Sequence, residues 1–236
     1  MIDIDVVRTS ASRPELLKIS TESIKKNLKY SGKLRFLLHE DKLNEKASAE
    51  VMEYAHSCGL YDVIRQDEAP MIGHKRSFLW LFSQTITKYV IHFEDDYELI
   101  KELDLDPIVN LMEKYPDRIN QICFSKRDIL PDKPGFVKHT EYFDGIPLTT
   151  SQHWMMVPSI WRMSFAKKGI DGILNYKVHD FHWELNKLLK GRNVINNAEW
   201  VLRNTKTFYY GKVREGKLVE HIGKIDKSVR EKTYKW

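Results

Sequence analysis

Cysteine is scarce. The chain has two, Cys58 and Cys123, and no CxxC pair. A zinc ribbon, a thioredoxin-type redox centre and a disulfide scaffold are thereby excluded. Both thiols are expected to be reduced and buried, which suits a cytoplasmic compartment. Long apolar runs are missing too. The longest uncharged run, residues 145–161, is broken by Pro147, Thr149, Thr150, Gln152, His153 and Pro158, so no membrane span is expected. The opening MIDIDVVRTS has neither the basic nor the apolar region of a signal peptide. Glycine is thin, eleven in 236 residues, and none falls in the loop Thr9-Ser10-Ala11-Ser12-Arg13 that follows the first apolar run. A Gly-rich phosphate loop, which a sugar nucleotidyltransferase needs at that place, is absent. There is no internal repeat and no low-complexity segment.

What is there is an ordinary globular composition, 42% hydrophobic and 30% charged. A chain of this length buries about 70% of its unfolded surface. One domain with a substantial core is therefore expected over 1–236. The formal net charge is +5, and its distribution is uneven. Residues 201–236 carry ten Lys and Arg against four Asp and Glu, whereas the other 200 residues carry 28 and 29. The whole basic excess sits in the C-terminal segment. It reads either as a solvated tail or as a surface for a polyanion such as phosphates, nucleic acid or anionic lipid.

Strand and helix signals alternate through the first half. Ile2 to Thr9 is an apolar, β-branched run, and Ser12-x-x-Glu15 with Pro14 reads as a capping box opening a helix that buries Leu17, Ile24 and Leu28. Strands are expected at Leu34–Leu38, Leu60–Ile64 and Lys88–Phe93. Helices are expected at Asn44–Cys58, stopped by Gly59, and over 75–87, with Phe78, Phe82 and Ile86 on one face. This alternation predicts an α/β fold with a mostly parallel sheet flanked by helices, whose ligands bind beyond the carboxyl ends of the strands. The second half is less regular. A helix is expected at Pro107–Tyr115, strands at Asn120–Phe124 and Gln152–Pro158, a long loop over 125–150, a helix at Trp183–Lys190, and a hairpin through Glu215-Gly216 joining Phe208–Gly211 to Leu218–Ile222.

The strand at Lys88–Phe93 runs straight into Glu94-Asp95-Asp96. Three adjacent carboxylates repel one another unless positive charge sits among them. Oxygen ligands suit Mg²⁺ or Mn²⁺, which take one or two carboxylates together with substrate phosphates. In extended chain Glu94 and Asp96 point to one side and Asp95 to the other. The same triplet also reads as a solvated acidic loop or a helix cap.

An apolar strand followed by Glu94-Asp95-Asp96-Tyr97 resembles the DxD element of GT-A fold glycosyltransferases. Thr9-Ser10 with Arg13 through Leu17 to Ser23 resembles the start of their family-two-like members. Gly73-His74-Lys75-Arg76-Ser77 resembles the segment before the DxD strand that carries a basic residue toward the nucleotide. The resemblance is clearest over residues 2–100 and is traceable through 151–190. It implies a Rossmann-like GT-A domain, with a nucleotide-sugar-binding half at 1–100, an acceptor-side half at 101–200 and a basic segment at 201–236. It implies that Ser10, Lys75, Arg76, Glu94 and Asp95 face the nucleotide sugar, a UDP-sugar by preference, and that Asp96 holds Mn²⁺ or Mg²⁺. A His-x-Gly segment near the C-terminus resembles the late histidine of these enzymes, which gives His221 to the metal and Lys224 to the diphosphate, with Gly223 permitting close backbone approach. A surface histidine is the alternative reading. Asp180 aligns with the catalytic base of an inverting enzyme, with Glu184 next in line, although Asp180 also fits a helix N-cap. His153 and Trp154 fall on the acceptor-side strand, where Trp154 reads equally as core. The implied reaction moves a sugar to the hydroxyl of a glycan, or of a modified base in viral DNA. A non-catalytic nucleic-acid-binding module built on the basic segment is the rival reading, and it leaves the acidic triplet unexplained.

Overall fold

The computed structural model describes residues 2–67, 74–124, 139–151, 157–167, 170, 206–212, 215 and 217–223. At its centre lies strand β1 (Ile4–Ser10), buried at all seven positions. A strand with both faces covered should read as a near-continuous apolar run; Ile4, Val6 and Val7 meet that rule, and the two buried charges are paired, Asp5 with Arg35 and Arg8 with Ser20, Thr21 and Tyr61. To one side are β3 (Leu34–Glu40) and β4 (Val63–Gln66), and to the other β5 (Tyr89–Glu94), all four parallel. Beyond β5 the sheet turns mixed. β11 (Ser159–Arg162) runs antiparallel to β5, followed by β8 (Gln121–Cys123), β12 (Thr207–Tyr210), β10 (Ile146–Ser151) and β9 (Thr140–Phe143). The expected α/β class with a parallel nucleotide-side half is the architecture found.

Helices cover both faces. Ile4, Val6 and Ile91 pack with Ile24 of α1 (Pro14–Asn27) and with Ile108 and Met112 of α4 (Asp106–Lys114). Leu38 meets Val51 and Ala55 of α2 (Glu45–Ser57). On the opposite face Val7, Leu37 and Val90 pack with Phe78, Leu81 and Phe82 of α3 (His74–Ser83) and with Trp161. Two small ribbons complete the fold: β2 (Leu28–Lys29) with β7 (Leu103–Asp104), and β6 (Tyr97–Leu99) with β13 (Val219–His221). The second ribbon is docked on α1 by a polar ladder. Ser20 Oγ donates to the Tyr97 carbonyl at 2.5 Å, Leu99 N–H donates to Ser23 Oγ at 3.0 Å, and Asn27 Nδ2 donates to the Leu99 carbonyl at 2.5 Å. One helix face thus satisfies the strand edge that β13 leaves open.

Several expectations need correction. Ser12 does not cap α1. The helix starts after Arg13 with no side-chain cap, and Ser12 adopts a left-handed φ of 54°. Its hydroxyl instead accepts Leu43 N–H and Asn44 N–H at 2.9 and 3.0 Å, leading the chain into α2. Helix α3 ends at Ser83, so Ile86 lies outside it and is 80% exposed. The stretch 139–151 is a hairpin rather than a loop. Asp144 and Gly145 both have positive φ, 49° and 84°, and form a two-residue turn that pairs Phe143 with Ile146. Val157 and Pro158 precede a strand instead of ending one. β12 and β13 belong to different sheets, so they form no hairpin.

Candidate active site

The parallel strands β1 and β5 end side by side, with Thr9 opposite Glu94. Immediately beyond, Asp95 and Asp96 make a tight turn from β5 into β6. The alternation expected of extended chain therefore stops at Glu94, which is half-buried, and the two aspartates meet the same partner. That partner is Arg13, at the end of the loop that follows β1. Its guanidinium pairs with Asp95 through Nη2 and, at 3.1 Å, through Nε, and its Nη1 reaches Asp96 Oδ2 at 2.9 Å.

Asp95 is completely buried. Besides Arg13 it accepts Ser10 Oγ–H at 3.1 Å and Ala11 N–H at 3.3 Å. Burial pushes its carboxyl above the usual carboxylate range, opposed by Arg13. On Arg13 burial works against the charge, but the two aspartates outweigh it and hold the guanidinium firmly protonated. Ser10 is likewise enclosed and spends its hydroxyl on Asp95.

Asp96 is different. Its Oδ2 lies 3.3 Å from His221 Nε2 as well as 2.9 Å from Arg13. Its Oδ1 is buried with no hydrogen-bond partner. A buried carboxylate oxygen left unpaired is expensive, and such groups mark a functional demand or a missing ligand. The segment carrying His221 is brought here by three contacts. His221 lies opposite Tyr97 in the ribbon, their rings meet edge-on at 5.0 Å between centroids, and Ile222 N–H donates to the Asp96 carbonyl at 2.8 Å. Gly223 then passes so close that a Cβ there would fall 2.7 Å from both Asp96 Cβ and Oδ2. The His221 side chain remains 46% exposed.

A second acidic group borders the site. Glu40, paired with Ser10 across the sheet, is fully buried. Its Oε1 accepts Ser12 N–H and Ser48 Oγ–H, both at 2.8 Å, while Oε2 has no partner. Burial raises its pKa against those bonds. Beyond it, His39 is buried with Nε2 3.0 Å from Asp67 Oδ2 and its ring 5.4 Å from that of Trp80.

The structure thus gathers Ser10, Asp95, Asp96 and His221 at one place, with Glu94 adjoining. Arg76 is exposed in the first turn of α3. The side chain of Lys75 lies outside the described residues, as do His153, Trp154, Asp180, Glu184 and Lys224. Arg13 and Glu40 were not singled out from the sequence as site residues. The signal for Arg13 was available. Three adjacent acids at the end of one parallel strand need a cation, and the loop after the neighbouring strand holds this one arginine.

Among the described residues no group of three or more His, Cys, Asp and Glu side chains converges as a metal cage. A site in which phosphates complete the coordination asks for less. The unpaired Asp96 Oδ1, the adjoining imidazole and the close backbone approach that Gly223 permits fit a divalent cation of that kind.

No protein-family model and no curated protein matches the sequence. Solved structures do. Residues 1–349 of Staphylococcus aureus TarS in complex with UDP match 89% of this chain over 58% of theirs, at 13% identity and a TM-score of 0.54. The same protein in complex with UDP-GlcNAc matches 96% over 62%, at 14% identity and a TM-score of 0.50. The chain spans less than two thirds of the length of these structures. The fold is that of the GT-A glycosyltransferases. No helix of the described residues is long and apolar enough to cross a membrane.

Proposed function

We propose that this chain is a metal-dependent glycosyltransferase that moves a sugar from a nucleotide-sugar donor, a UDP-sugar by preference, to an acceptor hydroxyl with inversion. The single observation that carries the reading is the unpaired, buried Asp96 Oδ1 beside His221 and Gly223, at the carboxyl ends of the central parallel strands of a GT-A fold. That is where open α/β sheets bind their ligands.

Asp96 and His221 would hold Mn²⁺ or Mg²⁺. A bound cation supplies positive charge to the diphosphate as it departs. The chain's own groups do the rest. Asp95, locked by Ser10, Ala11 and Arg13, fixes the turn that carries Asp96. Glu94, Arg76 and Lys75 are assigned to the nucleotide, and Lys224 to the diphosphate. Asp180 takes the proton of the acceptor hydroxyl, with Glu184 next in line, and a group with that duty must lie within hydrogen-bond reach. His153 and Trp154 receive the acceptor, a glycan or a modified DNA base.

The test is a thermal-shift panel with UDP-, GDP-, TDP- and CMP-sugars, with and without Mn²⁺, on the natural chain and Asp96→Ala. A ligand at a hundredfold excess over Kd stabilises by about 2.7 kcal/mol. The expected result is a Mn²⁺-dependent rise with one nucleotide that disappears in the variant. No rise with any donor rejects the assignment.

A further inference from the structure

The candidate metal site already contains a cation of its own. Arg13 touches both aspartates, sharing Asp96 Oδ2 with His221 and leaving only Oδ1 without a partner. Its side chain is only 31% exposed, so its charge is screened less than one in open water. We propose that Arg13 acts as a resident counter-ion that makes the site refuse a free divalent cation and accept one only together with a nucleoside diphosphate. This inference rests on the reading of Asp96 as a metal ligand.

The reasoning is one of charge. Asp95 is fully enclosed and its charge is met by Arg13, so the carboxylate offered to an entering cation is that of Asp96, with Arg13 Nη1 already 2.9 Å from its Oδ2. A free divalent cation would have to share that one carboxylate with a guanidinium that cannot lose its proton. Like charges held close in a partly desolvated site repel strongly. A nucleoside diphosphate arrives with two or more negative charges and reverses the balance. Arg13 is also held too firmly to yield. It stands at the entry to α1, and its withdrawal would leave the fully buried Asp95 without its counter-charge. The order of binding is thus written into one side chain.

The experiment titrates Mn²⁺ alone, read from the electron paramagnetic resonance signal of the free ion, in the absence and presence of UDP. In the natural chain, UDP is expected to tighten Mn²⁺ binding at least tenfold. Arg13→Gln alone risks misfolding, because it strands Asp95. The informative variant is therefore Arg13→Gln with Asp95→Asn, which removes the pair together and keeps two hydrogen-bonding side chains in place. Circular dichroism verifies its fold. It should bind Mn²⁺ without UDP at least fivefold more tightly than the natural chain, and UDP should then add little. Arg13→Lys, which keeps the charge, should stay closer to the natural chain. Equal affinity of the double variant and the natural chain for Mn²⁺ alone, with Asp96→Asn abolishing binding in UDP, overturns the role of Arg13 and leaves the metal site standing. Undiminished binding in Asp96→Asn overturns both.

Discussion

Gly223→Ala is a sharp test of the site, because the perturbation is a single methyl group placed at a known distance. The new Cβ would lie 2.7 Å from Asp96 Cβ and 2.7 Å from Oδ2. That is about 0.8 Å inside the roughly 3.5 Å at which carbon contacts become favourable. Relief cannot come from a long side chain folding away, since Asp96 Cβ moves only with its backbone. Nor can the glycine segment slide freely, because Ile222 N–H is bonded to the Asp96 carbonyl at 2.8 Å one residue earlier. Either that bond breaks, or the Asp95–Asp96 turn moves and disturbs Arg13. Overpacking of this kind costs about 1–3 kcal/mol. For a domain of this size each kcal/mol lowers Tm by about 2–4 °C. A fall of several degrees is expected in thermal unfolding followed by circular dichroism. Mn²⁺-dependent UDP binding, measured by calorimetry, should weaken more than tenfold, because the displaced group is the proposed metal ligand. Asp96→Gly in the same chain removes the clash, so the two substitutions should be less destabilising together than their sum, with a coupling of about 1 kcal/mol. A Gly223→Ala chain that melts within a degree of the natural one would refute the geometry from which the site is argued.

Other perturbations probe separate links. Asp180→Asn should abolish transfer yet leave the UDP-induced thermal shift intact, and full turnover in that variant moves the base to Glu184. Burial keeps the Glu40 carboxyl above its ordinary value of 4.5, so the folded chain holds a proton that the unfolded chain has released. Its contribution to stability is complete below that value and is lost as pH rises through the folded pKa. Glu40→Gln should therefore reduce the loss of stability as pH rises above 4.5 in urea unfolding, and an identical pH slope would dismiss this role. Ser20→Ala removes the hydroxyl that accepts from buried Arg8 at 2.6 Å and donates to the Tyr97 carbonyl. It should cost about 1–3 kcal/mol, whereas Ser57→Ala on the exposed end of α2 should cost far less; equal midpoints would remove the ladder from the account.

The parts of this molecule that could be read from sequence are those in which one strong signal acts alone. β1 is a run of seven residues buried on both faces, and α2 is bracketed by Asn44, whose side chain accepts Ala47 N–H at 2.9 Å, and by Gly59 at a φ of 69°. No distant contact has to be known to place either. Where two signals compete, tertiary contact decides. Ser12-x-x-Glu15 is a sound capping box on paper, yet the same hydroxyl serves the entry to α2, and the φ this requires takes it out of line with α1. Asp144-Gly145 is a strong local turn signal, but it was submerged in a stretch read by composition, and composition does not see strands.

The site divides along the same line. Its place followed from order along the chain: strand, helix, strand, then acids. Its polarity did not. Asp95 and Asp96 are chemically identical neighbours, and only the turn after Glu94 gives one a full set of partners and leaves the other with an unpaired oxygen. That difference is created by groups 82 residues or more away in sequence: Ser10, Ala11 and Arg13 on one side, His221 and Gly223 on the other. None of these matters unless β1 and the β6–β13 ribbon are both seated on α1, which binds the ribbon through Ser20, Ser23 and Asn27. The first helix therefore does for the site what a sequence motif cannot: it fixes the distance between the acid that holds charge and the histidine that shares it.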